Sequence, residues 1–140
     1  MSQDFDIQTY LKDKKIIILD ESQSTRSFVL VALQSLGARL VNICSTNKYE
    51  KADRFLKDEK ASIIISEYSI GDKYALGLLP ILNELYPQNQ DKCFILVTNN
   101  SSESTVAEAA EEDVDSFIIK PFSTDGLLQY LTTVFRRKLK

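Results

Sequence analysis

A chain of 140 residues, 44% hydrophobic and 26% charged, is long enough for one core and carries enough apolar surface to exclude a disordered polymer. Its formal net charge of -3 gives no general basis for nucleic-acid affinity. The absence of histidine excludes His-based acid/base catalysis, Ser-His-Asp and Cys-His nucleophiles, and any imidazole zinc site.

Taken in chain order, residues 1–13 alternate polar and apolar side chains and lack the apolar core of a signal peptide. Phe5, Ile7, Tyr10 and Leu11 are spaced for a short extra helix, and the sequence leaves open whether it packs on this domain or on a partner. These residues read as an extension, with one domain over 14–140. No run approaches the roughly 18 apolar residues of a membrane span, and the expected location is cytoplasmic.

Apolar, β-branched runs predict five buried strands over 15–19, 39–44, 62–65, 93–97 and 116–119. Between them, helical spacing predicts helices. Residues 25–36 put Phe28, Val29, Ala32, Leu33 and Leu36 on one face, with Gly37 as the stop. Residues 47–60 pair an apolar stripe with a charged one. Residues 76–86 contain Pro80, so that helix begins near Pro80 or bends there. Residues 103–112 are Ala- and Glu-rich, with Ser101 and Ser102 as candidate caps, and the last helix follows Ser123. Cys44 and Cys93 lie within apolar runs, the pattern of buried free thiols. The basic ending, 136–140, reads as charge suited to a helix C-terminus.

Strand and helix alternate five times, which predicts a doubly wound parallel sheet with right-handed crossovers. Ligands of such sheets bind beyond the C-terminal strand ends. Those ends carry Asp20-Glu21, Ser66-Glu67, Thr98 and Lys120-Pro121-Phe122, so three carboxylates, a hydroxyl and an ammonium are expected on one edge. A carboxylate cluster repels itself unless a hard cation or a lysine compensates, which makes Mg²⁺ the natural guest and Lys120 the natural counter-charge.

The run Ile17-Ile18-Leu19-Asp20-Glu21, the strand ending in Thr98, and Phe117-Ile118-Ile119-Lys120-Pro121-Phe122 resemble the receiver domain of bacterial two-component systems over residues 14–138. The resemblance implies a flavodoxin-like five-stranded sheet, order 2-1-3-4-5, with five helices. It implies Mg²⁺ on the acidic pair, a phosphoryl-binding hydroxyl at Thr98, an oxygen-contacting ammonium at Lys120 and a switch aromatic at Phe117. It also implies a partner face made by the fourth helix, fifth strand and fifth helix. Here that face comprises residues 106–110, Phe117, Phe122 and the 127–135 helix, open to a signalling protein or to a second copy.

The acceptor position departs from the family: Glu67 stands where a receiver has its phosphorylatable Asp. Ile70-Gly71 replaces the usual Met-Pro, Ala75 the usual Gly, and Asn99 a smaller residue. Glu carries its carboxylate one methylene farther out, and misplacing the attacking oxygen by about 1 Å costs on the order of 100-fold in rate. The expected function is therefore an atypical, non-enzymatic receiver that acts by protein–protein contact. Asp20, Glu21 and Glu67 are expected to hold Mg²⁺ weakly or not at all. Two rivals stand beside this reading: a working phosphoacceptor, and a partial phosphomimetic in which Glu67 reaches toward Thr98 and Lys120. A nucleotide- or flavin-binding domain is disfavoured, because the loop after the first strand is acidic and lacks glycine.

Overall fold

The computed structural model describes residues 2–99, 102, 106 and 114–139, with the backbone alone for residues 2–5. Helix α1 (Ser2–Leu11) leads into β1 (Ile16–Leu19), α2 (Gln23–Ser35), β2 (Ile43–Thr46), α3 (Tyr49–Glu59) and β3 (Ile63–Ser66). Two short strands follow, β4 (Ser69–Ile70) and β5 (Lys73–Tyr74), then α4 (Leu79–Leu85), β6 (Cys93–Thr98), β7 (Ser116–Ile119) and α5 (Thr124–Lys138). The main sheet has the order β2-β1-β3-β6-β7, and every neighbouring pair in it is parallel. This is the doubly wound arrangement anticipated from the alternation, with β6 and β7 as its fourth and fifth strands.

Strand pleating divides the central residues between two cores. Ile16, Ile18, Ile63, Ile65, Ile95 and Val97 point to the layer that holds α2 and α5. Ile17, Leu19, Ile64, Phe94 and Leu96 point to the layer that holds α3 and α4. The continuous apolarity of β1, β3 and β6 follows, since each face of these strands is covered. Cys44 and Cys93 are both buried free thiols.

Local chemistry sets the boundaries. The Ser22 hydroxyl accepts from the Thr25 N–H at 3.2 Å and starts α2 earlier than the apolar pattern indicated. Ser123 caps α5 as expected, accepting from the Gly126 N–H at 2.9 Å. Ser123→Ala should lower stability by about 1 kcal/mol in urea unfolding, with the denaturant slope unchanged. Pro80 sits in the first turn of α4, so that helix begins late, after a 3-10 turn at Ala75–Leu78.

Three expectations need correction or fall outside the structure. The second strand is Ile43–Thr46, not 39–44: Leu40–Asn42 makes a 3-10 turn, and Val41 is 84% exposed. As an edge strand β2 needs fewer buried residues than its neighbours, so apolarity alone misplaced it. The predicted 103–112 helix lies outside the described residues, Val106 apart. The basic ending is also more than dipole compensation. Lys138 is 8% exposed, and its ammonium lies 2.7 Å from Asp115 Oδ1 and donates to the Asn89 carbonyl at 2.7 Å. Asp115 Oδ2 in turn accepts the Phe94 N–H at 2.8 Å, which ties the end of α5 to the start of β6.

Candidate functional site: a lysine-bridged carboxylate pair at the strand ends

The C-terminal ends of β1, β3, β6 and β7 bring Asp20, Glu67, Thr98 and Lys120 to one edge. Backbone bonds continuing the ladder fix their positions. The Asp20 N–H donates to the Thr46 carbonyl at 3.1 Å, Glu67 N–H to Leu19 at 2.9 Å, and Lys120 N–H to Thr98 at 2.9 Å. Asp20 is 3% exposed, and Thr98 is fully buried.

Lys120 Nζ lies 2.9 Å from Asp20 Oδ2 and 3.1 Å from Glu67 Oε1. The other two oxygens are held by the backbone: Asp20 Oδ1 accepts the Ser22 N–H at 2.8 Å, and Glu67 Oε2 accepts the Tyr68 N–H at 2.7 Å. All four carboxylate oxygens therefore have protein donors. Arg26 adds a bond from Nη1 to the Asp20 carbonyl at 2.6 Å. Burial disfavours the charged form of Lys120, but its hydrogen bonds to Asp20 and Glu67 and the charges of both outweigh that penalty. The ammonium is held above the ordinary lysine value.

Glu21 does not join this group. It is exposed, and its Oε2 accepts the Gly71 N–H at 3.2 Å. Gly71 has a φ of +61° and turns the antiparallel β4–β5 hairpin, a conformation glycine adopts without penalty. Tyr68 and Tyr74 stack edge-on across the hairpin with centroids 5.3 Å apart. The hairpin was missed in the sequence, although Gly71-Asp72 between two short runs is a two-residue hairpin signal. Because Glu21 is diverted and Lys120 bridges the other two carboxylates, offsetting one of their two charges and occupying an oxygen of each, the residues as arranged do not fit a divalent cation. Among the described residues no three His, Cys, Asp or Glu side chains group to hold one.

A family model for the response regulator receiver domain matches residues 16–132. The chain belongs to the receiver domain family. It is 22% identical over 121 residues to a probable chemotaxis protein CheY of Rhizobium etli, covering 86% of this chain and 92% of that protein. It is 24% identical over 120 residues to a CheY homologue of Campylobacter jejuni, covering 86% and 91%. The phosphate regulon transcriptional regulatory protein PhoB of Pseudomonas aeruginosa is 27% identical over 126 residues, and this receiver spans 52% of it. Among solved structures, a CheY-like receiver domain protein of Methanospirillum hungatei superposes with a TM-score of 0.74 at 18% identity, covering 89% of this chain and 95% of that one. The Thermotoga maritima regulator DrrB superposes with a TM-score of 0.71 at 23% identity, covering 89% and 54%.

The receiver's expected partner face is divided by the sheet. Phe117 is half-buried against the α3–α4 core, whereas Phe122 packs on the opposite layer, edge-on to Phe28 at 6.3 Å. Leu127, Leu131, Val134 and Phe135 are buried in that same layer. They are core residues of α5 and unavailable to a partner. Among the described residues, the exposed large apolar side chains of this side include Ile119 on the edge strand β7, 41% exposed, and Tyr130 on α5, 50% exposed.

Proposed function

We propose that this receiver works without accepting phosphate, as a non-enzymatic signalling module that acts by contact with another protein. One observation carries the reading: Glu67, at the acceptor position, and Asp20 share Lys120, and every oxygen of the two carboxylates is already engaged. An acceptor must present a free, well-aimed oxygen to an incoming phosphorus. Glu67 presents none, and Mg²⁺ binding is weak or absent for the same reason.

The rival in which Glu67 imitates a phosphoryl group is less well supported. A single carboxylate brings less charge and fewer acceptor oxygens than a phosphoryl group. One of its two oxygens is spent on the Tyr68 N–H. The partner contact falls on the β7–α5 side, around Ile119 and Tyr130, and takes a signalling protein or a second copy. Incubation with acetyl phosphate and Mg²⁺, followed by intact mass measurement under conditions that preserve acyl phosphates, tests the proposal. The expected result is an unchanged mass; the mass of one added phosphoryl group would overturn it.

A further inference from the structure

Helix α1 precedes the stretch matched by the family model, which begins at residue 16, yet it is seated in the core. Ile7 and Leu11, one turn apart on the same face, are both fully buried in the layer formed by α2 and α5. Tyr10 lies against Phe135 of α5 with centroids 5.8 Å apart, and the Lys14 ammonium covers the Tyr10 ring at 4.7 Å. The surface beneath is shaped for this helix. Gly37, with a φ of +118°, lets the backbones meet: a Cβ there would stand 2.6 Å from the Gln8 Cα. Asn42 Nδ2 donates to the Lys12 carbonyl at 3.4 Å and fixes the exit of α1.

From these contacts we infer that the α2–α5 layer carries a seat for a short amphipathic helix with aliphatic side chains at i and i+4, and that α1 fills it in cis. While α1 stays in place, the seat is closed to a helix of the same chemistry from another protein. Helix-in-groove recognition needs these anchors and a close backbone approach, and the pair Ile7 and Leu11 with Gly37 supplies both. Uncovering the seat would expose a contiguous apolar patch of the kind that draws partners. This inference is independent of the chemistry of Glu67.

The test uses the full chain and a fluorescein-labelled synthetic peptide of residues 2–15. Ile7→Asp places a charge in the seat and should release α1. The labelled peptide should then bind the folded variant at least about tenfold more tightly than it binds the parent chain. Equal binding to both, or no binding to a variant with an intact α/β circular dichroism spectrum, would overturn the inference. Should the variant not fold, hydrogen exchange on the parent chain decides. Amides of residues 7–11 should exchange at least about 100-fold more slowly than in the free peptide, and equal rates would refute a filled seat.

Discussion

Lys120→Met is expected to destabilise the domain by about 2–3 kcal/mol at neutral pH, because it leaves two largely buried carboxylates facing one another without a cation. Asp20 and Glu67 have side-chain exposures of 5% and 16%, so solvent screens them poorly. The figure is set below that for a fully buried pair because Lys120 itself is 18% exposed. Urea unfolding measures the loss, and an unchanged denaturant slope would place it in the native state.

The pH profile separates this mechanism from simple loss of packing. The folded-state value of Lys120 is raised, so its contribution is complete below the unfolded lysine value of about 10.4 and fades as pH climbs through the higher folded value. The stability gap between parent and variant should therefore close at strongly alkaline pH. A gap that stays constant from neutral into strongly alkaline pH would mean that the lysine stem, and not its charge, supports the site.

Legibility in the sequence followed the strength of the physical signal. The strands β1, β3 and β6, sealed on both faces, are continuous apolar runs and could be read directly. The edge strand β2 is covered less, so its register slipped toward Leu40 and Val41, which prove to be exposed. Pro80 and Ser123 marked helix starts because each has one clear backbone consequence. Burial of α1 was undecidable, since amphipathic spacing states that a face is apolar and not what covers it. The buried Lys138–Asp115 bridge was invisible for a similar reason: a lysine in a basic helix end usually stays in water, and its partner is 23 residues away in the chain.

At the site, the strand-end rule correctly gathered Asp20, Glu67, Thr98 and Lys120, because topology alone decides which residues share an edge. It failed for Glu21, whose direction depends on a two-residue turn. Once Gly71 closes the β4–β5 hairpin, its N–H offers Glu21 a donor, and the acidic pair is split. Glu67, Ile70 and Gly71, which depart from the family pattern in the sequence, thus meet at one hairpin. Ile70 is the buried residue of the hairpin's first strand, Gly71 turns it, and Glu67 and Glu21 are each committed to a protein donor on or beside it.

Glu67→Asp tests the proposal that this commitment keeps phosphate from the site. Shortening the side chain by one methylene withdraws the carboxylate by about 1.5 Å, too far to keep both the Lys120 and the Tyr68 bonds. An oxygen is thereby released toward the edge, at the side-chain length the family uses for its acceptor. With acetyl phosphate and Mg²⁺, the variant should form a phosphoprotein at a rate on the order of 100-fold above the parent chain, read by intact mass and by loss of the added mass in hydroxylamine. Glu21→Gln alone should weaken the grip on Gly71 without restoring an acceptor, so it should leave the mass unchanged. An inert Glu67→Asp chain that still unfolds cooperatively would move the block from the carboxylate to the β4–β5 hairpin and Asn99. In that outcome the hairpin, and not the extra methylene, would be the element that separates this receiver from a phosphoaccepting one.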